Sequence, residues 1–179
     1  MKRLSHTDGC YAAASQLLWR RMHYDLAVIE TAWGRGIADV VAVTTPLHEV
    51  EKSIARPRIF AGEVKVSRAD LLQDLAARKM LKYCDGATHG GLFVTAEALA
   101  WDRRPDTLPD VLAWLGEAGL PSWWGVTEIG LSARGDVFVI ERRKHRANPS
   151  GADISVERRQ RVATRLARSL AHRALRQHR

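Results

Sequence analysis

The sequence has few cysteines and no long apolar segment, and both absences restrict the kind of protein it can encode. It contains two cysteines, Cys10 and Cys84, which are too few for the disulfide framework of a small secreted domain. No uncharged run approaches the roughly 20 apolar residues that cross a bilayer. Lys2 and Arg3 are not followed by the apolar segment of a signal peptide. We therefore expect a cytoplasmic protein without a membrane partner.

The two cysteines allow one metal-binding interpretation. His6 and Cys10 lie at helical spacing, and with Cys84 and His89 they could form a zinc tetrad. The spacing matches no dense ligand pattern, however. Two buried thiols and two ordinary histidines are the simpler interpretation.

Acidic residues are scarce relative to basic ones. The sequence has 28 Lys and Arg against 20 Asp and Glu, a formal net charge of +8. Most of the excess lies in residues 151–179, where eight arginines accompany only Asp153 and Glu157. Such a segment suits a polyanion such as nucleic acid, although a solvated helix face has the same composition.

The order of predicted elements indicates an α/β protein with a mixed central sheet flanked by helices. At 179 residues, one domain is the default. We assign residues 1–149 to this domain and residues 150–179 to a basic amphipathic C-terminal helix. The predicted elements are a helix over 8–23, strands over 25–33, 37–44 and 58–66, a helix over 67–83, a strand over 90–95, a short helix from Pro109, and strands over 123–129 and 137–141.

Three charged residues interrupt apolar strands near the centre of the domain. Asp39 lies within the second strand, and Glu63 and Lys65 lie on one face of the third. Two neighbouring carboxylates repel each other unless a cation neutralises them, and oxygen ligands suit Mg²⁺ or Mn²⁺. Lys65 could orient or deprotonate a water and offset charge on a phosphate. A surface strand with a cross-face ion pair would also explain Glu63 and Lys65, but it does not explain why Asp39 lies within an apolar strand.

This arrangement resembles the PD-(D/E)xK phosphodiesterase superfamily, which has the restriction-endonuclease-like fold, and more specifically its MmcB-like branch of bacterial DNA-repair proteins. The resemblance covers about residues 25–140 and departs from the superfamily name at Ala38, where proline is expected. It is carried by Ala38-Asp39-Val40, Glu63-Val64-Lys65, Ser67, Asp70, Asp74, Lys79 and Tyr83-Cys84-Asp85.

The resemblance implies a core of the order αβββαβ and a Mg²⁺-dependent nuclease. It implies that Asp39 and Glu63 hold the ion, with Lys65 beside the attacked phosphate. Val64 lies between Glu63 and Lys65, so its backbone carbonyl could add a further ligand. Glu30 is the candidate for a further catalytic acid. A non-catalytic DNA-binding or repair-accessory module of the same fold is the alternative, and a protein–protein partner is a third reading.

The remaining site predictions concern support and substrate contact. Acids in the first turns of a helix favour its dipole without any further role, so Asp70 and Asp74 have a simpler explanation. DNA is the expected partner, with a homodimer or a repair or defence protein left open. The predicted supporting residues are Ser67, Asp70, Lys79 and Tyr83, and the predicted nucleic-acid contacts are Arg35, Arg158, Arg161, Arg165 and Arg168.

Overall fold

The computed structural model describes most of the chain as helices and strands around one sheet. The described residues are 3–20, 24–33, 36–44, 58–83, 86–99, 108–149 and 155–177. The helices within them are α1 (His6–Ser15), α2 (Arg68–Ala76), α3 (Ala96–Leu99), α4 (Leu108–Glu117) and α5 (Val156–Gln177), with a π-helical turn at Gln16–Arg20 and a 3₁₀ helix at Lys79–Tyr83. The strands are β1 (Leu26–Trp33), β2 (Gly36–Val43), β3 (Ile59–Lys65), β4 (His89–Thr95), β5 (Gly125–Leu131) and β6 (Val137–Arg143).

The six strands form one open sheet in which neighbours in space follow the order of the chain. The first three strands pair antiparallel, β3, β4 and β5 pair parallel, and β6 returns antiparallel to β5. The parallel β3–β4 pair needs a crossover, which α2 and the 3₁₀ helix supply. The predicted α/β class with a mixed sheet is therefore confirmed.

Helix starts follow the predicted chemistry more closely than helix ends. Ser67 caps α2, since its hydroxyl accepts a hydrogen bond from the backbone N–H of Asp70 at 3.3 Å. At α1 the cap is Ser5, whose hydroxyl accepts a hydrogen bond from the backbone N–H of Asp8 at 3.1 Å. The predicted continuous helix over 67–83 is wrong, because α2 ends at Ala76 and Arg78 adopts a positive φ of 49°. The chain then continues as the 3₁₀ helix.

Residues 96–99, directly after β4, form the short helix α3. Residues 100–107 lie outside the described residues, as do Arg35, Cys84 and Asp85. None of the described helices has both the length and the apolar character needed to span a bilayer.

Apolar side chains cover both faces of the sheet. On one face α1 packs against the strands through Cys10, Ala13 and Leu17. On the other face the core includes residues of α2, α4 and α5. Leu166 of α5 is 2% exposed within this core, so the basic C-terminal helix packs on the sheet through its apolar side.

Candidate functional site

The strand register brings the two predicted metal-binding carboxylates together. Strands β2 and β3 are paired from Val43 opposite Ile59 to Val40 opposite Gly62. One residue further along the same register, where this pairing ends, Asp39 comes opposite Glu63. The Asp39 carboxylate contacts His6 of α1 and the Glu63 carboxylate contacts Lys79 on the α2 side, yet the two are close enough that Asp39 raises the pKa of Glu63. The register of two strands thus places two acids side by side within the sheet.

Asp39 is held in position by the backbone of β3 and by α1. Its Oδ2 accepts a hydrogen bond from the backbone N–H of Val64 at 2.7 Å. The same oxygen lies 3.3 Å from Nε2 of His6. Asp39 is 8% exposed, so one edge of the residue reaches solvent. The bond to Val64 ties Asp39 to the residue whose carbonyl is the third predicted ligand.

Glu63 is fully buried and only partly paired. Its Oε2 lies 3.0 Å from Nζ of both Lys65 and Lys79. Burial, reinforced by the Asp39 carboxylate, raises the pKa of Glu63 although the two lysines oppose the shift. Within the described part of the chain, Oε1 of Glu63 has no hydrogen-bond partner. The Tyr83 hydroxyl also lies beside this carboxylate, but its single proton is donated to the carbonyl of Ile37 at 2.7 Å.

A buried carboxylate oxygen without a partner is energetically costly. Glu63 Oε1 is therefore a position where a cation or a proton would lower the free energy of the folded protein. The surrounding charges favour a cation. Four carboxylates, those of Asp39, Glu63, Asp70 and Asp74, accompany two ammonium groups, those of Lys65 and Lys79, so acids outnumber lysines in this cluster.

Lys65 is the centre of the ion-pair network behind these acids. Its Nζ lies 3.0 Å from Glu63, 3.2 Å from Asp70 and 2.7 Å from Asp74. Burial would lower the pKa of Lys65, but the attraction of Glu63 and hydrogen bonds to Asp74 and Glu63 outweigh it and raise this pKa. Lys65 is therefore a positively charged ammonium group, suited to orienting a water or stabilising negative charge and not to removing a proton.

Lys79 and Asp74 complete the network from the helix side. Lys79 Nζ lies 3.0 Å from Glu63 and 3.1 Å from Asp74. Burial raises the pKa of Asp74 less than its hydrogen bonds from Lys65 and Lys79 lower it, so the net shift is downward. Through these contacts Lys79 holds both carboxylates in place, which fits its predicted supporting role. Asp74, which was not among the predicted site residues, is more central than Asp70.

Glu30 lies on the other side of Asp39, in a distorted part of β1. The β1–β2 register puts Glu30 opposite Asp39, yet this pair is missing from an otherwise continuous ladder. Glu30 has a φ of 46°, which is uncommon for a residue other than glycine. Its carboxylate lies with His6 and Cys10, and one donor atom from each of the three falls within 4.8 Å of the others.

Cys10 is a fully buried free thiol in this second group. Its Sγ lies 3.8 Å from Nδ1 and 3.9 Å from Nε2 of His6. Burial and the nearby carboxylates, first Asp39 and then Glu30, raise the pKa of the thiol to about 12. In the sequence, the spacing of four residues indicated that His6 and Cys10 could bind one metal ion. It did not indicate that the Glu30 carboxylate lies beside them.

The zinc tetrad that the sequence allowed does not form, because His89 and Cys10 lie far apart. His89 lies at the start of β4 opposite Phe60, and its ring packs against His145 with centroids 5.0 Å apart. Cys10 packs near the other end of β3, where Gly9 of α1 meets Val64. With a rise of about 3.3 Å per residue, Phe60 and Val64 are about 13 Å apart along the strand. Cys84 lies outside the described residues.

The predicted nucleic-acid contacts on α5 are exposed. Arg161, Arg165 and Arg168 line one surface groove of about 600 Å³. Arg158 lies over Gly86, where an added Cβ would come within 2.6 Å of its guanidinium group. Helix α5 packs chiefly on β1 and also contacts β2, the strands that carry Glu30 and Asp39.

No family model matches this sequence, and no curated protein matches it.

Proposed function

We propose that the protein is a divalent-metal-dependent phosphodiesterase that acts on DNA, with a restriction-endonuclease-like core. The observation that carries the proposal is the closeness of Asp39 and Glu63 on neighbouring strands, with a buried Glu63 oxygen left unpartnered among the described residues. This donor set fits a hard cation such as Mg²⁺ or Mn²⁺, because both side chains offer carboxylate oxygens. The carbonyl of Val64 would add a third oxygen. The ion would polarise the scissile phosphate and activate a water.

The chain's own groups supply the remaining requirements of hydrolysis. Lys65 keeps its positive charge and stabilises the negative charge that develops on the phosphate during attack by water. Asp74 and Lys79 hold Lys65 and Glu63 in place and leave them little rotational freedom. Tyr83 fixes the start of β2 by donating a hydrogen bond to the carbonyl of Ile37, two residues before Asp39. Glu30, the candidate for a further catalytic acid, takes part in no step of this scheme.

The test is cleavage of DNA with Mg²⁺ by the wild-type protein and by Glu63→Gln. We expect Glu63→Gln to lose activity by about 100-fold or more, the scale seen when one charge-stabilising group is removed. Glu97→Gln is a matched control, because Glu97 is a half-exposed glutamate that pairs with Arg3 away from the site. Chelation by EDTA should abolish cleavage. Equal cleavage by wild type and Glu63→Gln would rule out this site.

The arginine face of α5 is proposed to hold the DNA backbone. Replacing Arg165 and Arg168 together by alanine should weaken DNA binding and reduce the slope of log affinity against log salt by about 1 per lost phosphate contact. Arg134→Ala, in the exposed turn between β5 and β6, is the control. Binding that does not respond to salt would contradict the electrostatic contact.

A non-catalytic DNA-binding module is the second candidate. It is favoured by the ion pairs of Lys65 with Glu63 and of Lys79 with Asp74, which offset part of the negative charge. Salt-dependent, Mg²⁺-independent binding with no cleavage of single-stranded, duplex or branched DNA would select it.

A further inference from the structure

His6, Cys10 and Glu30 bring together three kinds of metal-binding atom beside the proposed magnesium site. His6 and Cys10 are four residues apart on α1, so they project from one face of the helix. Glu30 reaches them from β1, and the imidazole nitrogen, thiol sulfur and carboxylate oxygen are mutually within 4.8 Å. The proposed hydrolysis uses none of these three side chains.

The distances approach those of a tetrahedral zinc site. With Zn–N and Zn–O bonds of about 2.0–2.1 Å and a Zn–S bond of about 2.3 Å, neighbouring ligand atoms are about 3.3–3.5 Å apart. Nε2 of His6 lies 3.9 Å from Cys10 Sγ. The same nitrogen lies 3.3 Å from Asp39 Oδ2. Movements of a few tenths of an ångström to about an ångström would bring these atoms around one ion.

The donor types select the class of ion. A thiolate and an imidazole favour Zn²⁺ and similar ions, whereas Mg²⁺ and Ca²⁺ take oxygen ligands. The backbone gives an independent sign that this place is specialised. Glu30 holds a left-handed conformation in the middle of a strand, and such strained positions cluster at functional sites. His6 is 39% exposed at its side chain, which gives an ion access from solvent.

We propose that His6, Cys10 and Glu30 form a binding site for one zinc-class divalent ion, next to Asp39. A consequence rests on the proposed function. Because Asp39 Oδ2 lies 3.3 Å from Nε2 of His6, an ion bound by His6 lies next to the carboxylate that would hold Mg²⁺. Zinc would then inhibit cleavage by occupying a position that shares Asp39.

The test is titration of the reduced, metal-free protein with Co²⁺, which replaces Zn²⁺ and shows a thiolate charge-transfer band in the near ultraviolet. We expect the band to saturate at one equivalent and to disappear on addition of Zn²⁺. Cys10→Ser should abolish it, and Cys84→Ser, which removes the other thiol of the sequence, should retain it. Glu30→Gln should weaken Co²⁺ binding by about tenfold or more.

Absence of the band in the wild type, or its loss in Cys84→Ser with retention in Cys10→Ser, would overturn the proposal. Because Cys10 is fully buried, circular dichroism checks that Cys10→Ser is folded. If it is not, His6→Gln takes its place, and an unchanged Co²⁺ affinity in His6→Gln overturns the proposal equally. The titration contains no DNA, so its outcome stands whether or not the protein cleaves DNA. Zinc inhibition is measured separately, on wild type and Cys84→Ser.

Discussion

Replacing Asp39 by asparagine should stabilise the metal-free protein while removing its response to Mg²⁺. Asp39 and Glu63 lie on neighbouring strands, and the Asp39 carboxylate raises the pKa of Glu63. At an effective dielectric constant of about 20, two like charges about 5 Å apart would repel by about 3 kcal/mol. Lys65 and Lys79 offset part of this repulsion at Glu63. About 1–2 kcal/mol should remain to be relieved.

The substitution keeps the other important contact of Asp39. An asparagine oxygen can still accept the hydrogen bond from the backbone N–H of Val64. The contact with His6 is lost, but that side chain is 39% exposed and such pairs contribute less than about 1 kcal/mol. The net expectation is a gain of about 1 kcal/mol in the free energy of unfolding.

The assay is urea unfolding in EDTA and in Mg²⁺. With a slope of about 2 kcal/mol per molar urea, Asp39→Asn should raise the midpoint in EDTA by about 0.5 M. Mg²⁺ at ten times its dissociation constant should stabilise the wild type by about 1.4 kcal/mol and leave the variant unchanged. Asp70→Asn is the control, since Asp70 is 45% exposed and pairs only at the edge of the network. It should shift little in EDTA and keep its response to Mg²⁺. A variant that is no more stable in EDTA and still gains stability from Mg²⁺ would refute the reasoning.

Two further predictions concern the packing of α5 and the histidines at the start of β4. Leu166→Ala should lower the free energy of unfolding by about 2–4 kcal/mol in urea, because Leu166 is 2% exposed in the core against the sheet; a loss below about 1 kcal/mol would show that α5 docks loosely. Burial, with His145 and Arg58 nearby, lowers the pKa of His89 from 6.5 to about 4. A neutral folded histidine becomes protonated on unfolding, so its contribution is present above pH 6.5 and lost as the pH falls towards 4. Compared with His89→Asn, the wild type should lose about 2 kcal/mol more stability between about pH 7 and about pH 5, measured by urea unfolding; parallel pH profiles would contradict the assignment.

The sequence alone was sufficient to predict the strands that build the site and to identify the acids on them. Apolar segments interrupted by Asp39 and Glu63 are short-range signals, and the structure has strands at both places. Ser67 was also recognisable as a helix cap, because capping depends on residues three apart. The restriction-endonuclease-like fold and the activity stay predictions, supported by the resemblance and by the geometry of the site.

Other features depend on long-range contacts that no local pattern contains. The break at Arg78 needs a left-handed residue in a segment whose composition is helical throughout. Asp74 could have been recognised as the polar residue on the buried stripe between Leu71 and Leu75 of α2. The closeness of Cys10 and Glu30 could not have been recognised, because it arises only when α1 packs across β1.

The most direct test of metal binding at Asp39 and Glu63 is anomalous scattering from a crystal of the protein soaked in Mn²⁺, collected with and without Zn²⁺. We expect a manganese peak within ligand distance of both carboxylates and of the Val64 carbonyl. Added Zn²⁺ should give its own peak at His6, Cys10 and Glu30. No manganese peak between Asp39 and Glu63 at millimolar Mn²⁺, or one only beside Cys10, would contradict a magnesium-dependent site on these strands.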